Sequence, residues 1–160
     1  MPVEFLTDDQ AAAYGRYNSP PTRAQLERFF FLDDTDKTLV GRRRGDHNRL
    51  GFAVQLATAR YVGTFLADPL EVPSEVVDYL AEQLGVADPS CVKQYSLRET
   101  THREHAGEIQ REYGLRDFGE VEGELAAWVD ARAWTTGEGP KATFDGAVAW
   151  LRERRVLLPG

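Results

Sequence analysis

Apolar residues recur along this chain at intervals of three and four, and no run alternates as a half-exposed strand would. No Asn-Gly or Asp-Gly pair joins two β-branched segments. Start and stop signals divide the sequence into helices. Thr7-Asp8-Asp9-Gln10 and Thr22-Arg23-Ala24-Gln25 both have capping-box form. Ser19-Pro20-Pro21 breaks the chain between them, and Leu26, Phe29, Phe30 and Leu32 form a core stripe after the second box. Asp34 or Thr35 caps a short helix ending near Gly41.

The longest core helix is expected to start with Asp46 as N-cap and to stop at Gly63, spanning roughly 25 Å at 1.5 Å per residue. Leu50, Val54, Ala57 and Tyr61 share one face; Asn48, Phe52, Gln55 and Ala59 share the opposite one, with Arg49 and Arg60 at the flanks. A helix that is apolar over most of its circumference belongs at the centre of its domain. Further on, Ser74 precedes a helix with Val76, Val77, Leu80 and Leu84 inward and Gly85 as its stop. Asp88-Pro89 opens another, running through Val92 and Tyr95. Thr100 or Thr101 starts a strongly charged helix closed by Gly114. Gly119 opens the next, with Leu125, Trp128, Val129 and Ala133 inward, and the last runs from about Thr143 towards Pro159.

The expectation is an all-α fold, a multi-helix orthogonal assembly of short helices around a long central one. The break at Ala67 to Pro73 permits two helical lobes, 1–67 and 73–160. At 160 residues the chain can bury about two-thirds of its unfolded surface, so neither disulfide nor metal is needed. The single cysteine, Cys91, excludes an intramolecular disulfide and a multi-thiolate zinc site. A buried filler is its commoner role, although a place near a helix start could lower its pKa. No signal peptide or membrane span is visible, which points to a cytoplasmic protein without a membrane partner.

Charge changes the picture in one place. Between Gly41 and Arg60 five arginines face one acid, Asp46, giving +4, so a chain of net −7 carries −11 elsewhere. Arg42, Arg43 and Arg44 lead directly into the central helix, and three permanent charges with five donors each cannot all be buried. The cluster is either a phosphate-binding device beside a helix start or a solvated basic turn. The −11 remainder fits equally well a module that docks on other proteins.

Other constellations carry less. His102 and His105 lie three apart beside Glu104 and Glu108, but without the spacing of zinc-binding helices; a charged, solvated helix face explains them, and no metal is expected. Asp46 with His47 lacks the convergent carboxylates of two-metal phosphodiester chemistry, so no catalytic residue is assigned. Arg44-Gly45-Asp46 spells the adhesion tripeptide by coincidence. Trp128, Trp134 and Trp150 are expected in the core, and of Phe29, Phe30 and Phe31 at least one must face away from it.

The strings MPVEFLTDDQAAAYGRY, RRRGDHNRLGFAVQLATARYVGTF, YSLRETTHREHAGEIQREYG and the closing VLLPG together resemble the N-terminal region of class II replicative transposases of the Tn-three type. The similarity covers essentially all 160 residues. It implies a helical DNA-binding region that helps recognise the element's terminal inverted repeats, with double-stranded DNA and the remainder of the transposase as partners. The family's D-D-E catalytic domain, and the divalent metal it uses, lie outside this sequence. The chain then reads as an excised domain or truncated product that is not an enzyme by itself and takes no cofactor. On this reading Arg42, Arg43 and Arg44 bind phosphates, while His47, Asn48 and Arg49 lie in the first turn of the central helix. Asn48 suits adenine and Arg49 guanine; alternatively Asp46, His47 and Asn48 lock the turn through local hydrogen bonds. Arg23 and Arg28, then Arg152, Arg154 and Arg155, are secondary candidates. The alternative function is an interaction or assembly module of the transposase without DNA binding of its own.

Overall fold

The computed structural model describes residues 14–137 and 139–159. The Thr7 capping box lies outside them. Among the described residues the regular elements are helical, and the fold is all-α.

Helix α1, Arg23–Phe29, is opened by the expected box: the Thr22 hydroxyl accepts from the Gln25 N–H at 3.2 Å, and the Gln25 side chain accepts from the Thr22 N–H at 2.8 Å. Helix α2, Asp34–Gly41, is capped by Asp33 rather than by Asp34 or Thr35. The reason is reciprocal. Asp33 accepts from the Asp36 N–H at 2.8 Å, and the Asp36 carboxylate accepts from the Asp33 N–H at 3.0 Å.

Helix α3, Asp46–Val62, is the central helix, and its start also moves by one residue. Gly45 is the N-cap at φ 83°, a left-handed conformation open to glycine because it has no Cβ. A Cβ there would also meet the His47 ring at 3.0 Å. Asp46 is therefore the first helical residue, favourable near the positive helix end but not its cap. Gly63, at φ 91°, ends the helix as anticipated. Every residue from Leu50 to Ala59 is buried, because α1, α2, α4, α5 and a 3-10 helix pack around α3.

Helix α4, Ser74–Leu84, buries Val76 and Leu80 and stops at Gly85. Pro89–Leu97 is a 3-10 helix, with Asp88 accepting from the Ser90 N–H. At three residues per turn Val92 and Tyr95 eclipse one another, and both are buried. Helix α5, Glu99–Glu112, follows directly after Arg98, ahead of the threonines expected to cap it. It is not wholly solvated: His105 and Ile109, four apart, are buried. After a short 3-10 turn, Phe118–Glu120, come α6, Glu122–Thr136, and α7, Pro140–Glu153.

Two apolar clusters result. The larger surrounds α3 and draws on residues from Leu26 to Ile109. It therefore crosses Ala67 to Pro73, so the clusters do not follow the anticipated lobes 1–67 and 73–160. The smaller joins Val121, Trp150, Leu151, Val156 and Leu158. The closing segment ties them together: Arg116 and Arg155 bond through their backbones at 2.8 Å, and the Leu158 N–H donates to the Gly63 carbonyl at 3.0 Å. Arg152 donates to the carbonyls of Arg60 and Tyr61 at 2.8 and 3.0 Å, closing the exposed end of α3.

The core expectations hold only in part at α6. Leu125 and Trp128 are half-buried against the smaller cluster and Val129 is half-buried, but Ala133 is exposed and Trp134 is 90% exposed. This helix packs on α7 and the short 3-10 turn, which leaves its outer face uncovered. Of the three phenylalanines, Phe30 is buried and Phe31 faces solvent.

Candidate nucleic-acid interface

The turn Arg42 to Gly45 is held rigidly. The Arg42 N–H donates to the Leu39 carbonyl and the Arg43 N–H to that of Val40, so the chain leaves α2 in a fixed direction. Gly45 then turns it into α3. The three arginines have different fates. Arg42 and Arg44 are exposed, and their side chains make no hydrogen bond or ion pair among the described residues. Arg43 points inward: Nη1 lies 2.5 Å from the Glu108 carboxylate, and its guanidinium sits 4.5 Å from the centre of the Phe52 ring.

Local contacts engage the first turn of α3. Asn48 Nδ2 donates to the Arg44 carbonyl at 2.8 Å, fixing the turn as the local-bonding alternative described. Arg49 pairs with Asp46 at 3.3 Å, and both groups are well exposed. An exposed pair of this kind is worth at most about 1 kcal/mol and yields readily to a phosphate. His47 is half-buried beside Gly45. No side chain caps α3, so its first N–H groups remain open to an anion.

The remaining basic candidates lie elsewhere. Arg60 stands about 20 Å from the helix start and forms a two-pronged pair with Asp36, at 2.7 and 2.5 Å. Arg28 is exposed beside Phe29, in a groove shared with Val62 and Arg152 at the far end of α3. Arg23 pairs with Glu27 and lies over the Tyr79 ring. Arg154 covers the Trp150 ring. The basic stretch that sums to +4 in sequence thus presents two unengaged arginines at one end of the central helix.

Two buried polar networks were not foreseen. In the first, Asp36 receives Arg60, the Tyr113 hydroxyl at 2.6 Å and the Asp33 N–H. Burial alone would raise the Asp36 pKa, but the bonds from Arg60 and Tyr113 outweigh it and hold the carboxyl below its ordinary value. In the second, Gln55 Nε2 donates to the Tyr95 hydroxyl at 2.7 Å and to the His102 carbonyl at 2.9 Å. The Tyr95 hydroxyl in turn meets His105 Nδ1 at 2.7 Å. With Gln55 donating to the phenolic oxygen, the phenol proton is free to go to Nδ1 of a neutral His105. Gln55, set among apolar residues in the central helix, is the one sequence signal that could have exposed this network.

Burial, then the charge of Arg43, lowers the His105 pKa to about 4, with Glu108 opposing. A histidine titrates near 6.5 when unfolded, so between these values the unfolded chain binds more protons. Stability is then complete above about pH 6.5 and declines as pH falls towards 4. Urea unfolding should show a loss of about 3 kcal/mol over that interval. His105→Gln should flatten the profile there.

Among the described residues no group of three or more His, Cys, Asp or Glu side chains is placed to hold a metal. No helix among them is long and apolar enough to cross a membrane. Cys91 is half-buried, and burial raises its thiol pKa rather than lowering it.

Residues 5–160 match the family model described as "Domain of unknown function (DUF4158)". The chain belongs to this family, a domain of the N-terminal region of Tn3-family transposases. It is 45% identical to the transposase for transposon gamma-delta of Escherichia coli strain K12 over 162 aligned residues, covering 100% of this chain and 16% of the relative. Identity is 36% to the transposase for transposon Tn501 of Pseudomonas aeruginosa, over 88% of this chain and 14% of the relative. It is 32% to the transposase for transposon Tn1546 of Enterococcus faecium, over 98% and 16%. The chain thus spans less than a fifth of the length of these relatives.

Proposed function

We propose that this chain is the DNA-binding module of a transposase and helps recognise the terminal inverted repeats of a replicative element. The observation that carries this reading is the pair Arg42 and Arg44, exposed and unengaged on a rigid turn into a 17-residue helix whose N-terminus carries no side-chain cap. Phosphates are bound by such cations and by the open N–H groups of the first turn. His47, Asn48 and Arg49 stand next to that contact. Arg43 supports the turn from within, through Glu108 and Phe52, and is not counted among the phosphate ligands. Arg23 and Arg28 lie outside this contact. Strand cleavage and joining, with any divalent metal they need, belong to another part of the parent transposase. This module acts in the cytoplasm, on DNA of the nucleoid, without a cofactor.

The test is fluorescence anisotropy with labelled duplexes across several salt concentrations. Exchanging Arg42 and Arg44 together for alanine should weaken binding to all sequences and reduce the slope of log K against log salt by about 2. An unchanged slope would remove both from the interface. Arg43→Ala should instead lower the unfolding midpoint.

A second reading, an assembly module without DNA affinity, is favoured by the outer face of α6. There Ala127, Ala131 and the 90% exposed Trp134 align. It would show itself as association with the remainder of the transposase by a chain that binds no duplex at low salt.

A further inference from the structure

The 3-10 helix places a third group of side chains beside the start of α3. His47, Asn48, Gln94, Leu97, Arg98 and Thr101 line an open cleft of about 410 Å³. Leu97 is 79% exposed, although it follows a segment anchored in the core. Arg98 is exposed and unengaged among the described residues. The acids alongside are already neutralised, Asp46 by Arg49 and Glu99 by Arg103 at 2.5 Å.

This arrangement is held in place from beneath. Tyr95 lies against Gly51 of α3, where a Cβ would stand 2.2 Å from its ring. Its hydroxyl is fixed by Gln55 and His105. Leu97 and Arg98 follow it by two and three residues, so their position relative to Asn48 is set by the core. An unengaged guanidinium, two carboxamides and an exposed aliphatic tip are the equipment of base readout: Arg and Asn or Gln for base edges, a leucine for a base step.

We propose that Gln94, Leu97 and Arg98 form a second DNA-contacting element, which reads base pairs next to the phosphates held by Arg42 and Arg44. The occupant is duplex DNA, because the lining carries the cation Arg98 and no acid, and its other polar groups, Asn48, Gln94 and Thr101, are those of base recognition. The proposal rests on the DNA-binding reading above. It adds that discrimination between sequences resides largely outside α3, in a segment whose sequence shows no basic cluster.

A pool of randomised duplexes is bound by the 160-residue chain and the recovered DNA is sequenced, for the wild type, Leu97→Ser, Arg98→Ala and the Arg42→Ala/Arg44→Ala double variant. The wild type should enrich a motif. Leu97→Ser and Arg98→Ala should each lose preference at one contiguous edge of it, by roughly tenfold per affected position, while total recovery stays within about twofold. The double arginine variant should recover less DNA but retain the motif. Because Leu97 and Arg98 are exposed, thermal melting should be unchanged in both single variants. An intact motif in both would overturn this element and leave the function standing, as would a uniform loss of recovery without loss of preference. A wild type that enriches no motif would overturn sequence recognition itself, and this element with it.

Discussion

Asp36→Ala should destabilise the chain by about 3–5 kcal/mol in urea unfolding, a large fraction of the roughly 5–15 kcal/mol that stabilises a domain. The carboxylate is 1% exposed and accepts four hydrogen bonds, two of them from Arg60. Removing it leaves the half-buried Arg60 guanidinium and the Tyr113 hydroxyl without their acceptor, and removes the reciprocal cap of α2. The energy lost is mainly that of stranded partners rather than of the ion pair itself. A double exchange, Asp36→Leu with Arg60→Met, should therefore recover much of the loss, since no charge is then left without its counter-ion. If the double variant is as unstable as the single one, packing rather than charge governs the site. The pH dependence has a definite sign. The folded pKa of Asp36 lies below its unfolded value of about 3.9, so its contribution is present above that value and disappears as pH falls further. Stability is then lost to acid first through His105 and, at lower pH, through Asp36.

Features of the fold set by local signals are legible in the sequence. The Thr22 box, the stops at Gly63 and Gly85, and the buried circumference of α3 all depend on residues within a turn or two of each other. The start of α3 slipped by one because Asp46 is a good cap in isolation, whereas the turn out of α2 demands a positive φ that Gly45 supplies. The charge count failed for a different reason. Arg43 and Arg60 are answered by Glu108 and Asp36, which come together only in the tertiary structure. His105 suffered likewise: on paper it belongs to a solvated charged helix, yet Gln55 and Tyr95 draw it into the core. The outer face of α6 fails in the opposite sense, since Trp134 has the composition of a core position but no element to pack against within the described residues. Of the proposed interface, the exposure of Arg42 and Arg44 was legible in the sequence; that the 3-10 segment some 50 residues further along lies beside His47 and Asn48 was not.

Gly51→Ala separates this tertiary view from one based on helix propensity. Alanine in mid-helix is ordinarily favoured over glycine by about 1 kcal/mol, so propensity alone predicts a more stable chain. The structure predicts the reverse. The new Cβ would fall 2.2 Å from the Tyr95 ring, which cannot simply retreat because its hydroxyl is held by Gln55 and His105. Either the 3-10 helix moves off α3, costing about 1–3 kcal/mol in strain and lost packing, or the hydroxyl network breaks, at about 1–3 kcal/mol for polar groups left unpaired. Where both costs are incurred, and alanine's helix preference of about 1 kcal/mol is set against them, the net destabilisation is about 1–5 kcal/mol. Tyr95→Leu should lower stability on its own but reduce the penalty of Gly51→Ala, a coupling that a double-mutant cycle measures directly. Additive effects would mean that glycine is needed for some other reason. A folded remnant of Gly51→Ala also tests the interface. With the 3-10 helix displaced, discrimination between duplexes should fall while the salt slope set by Arg42 and Arg44 stays, because their turn is built on α2 and Gly45 and does not touch Tyr95.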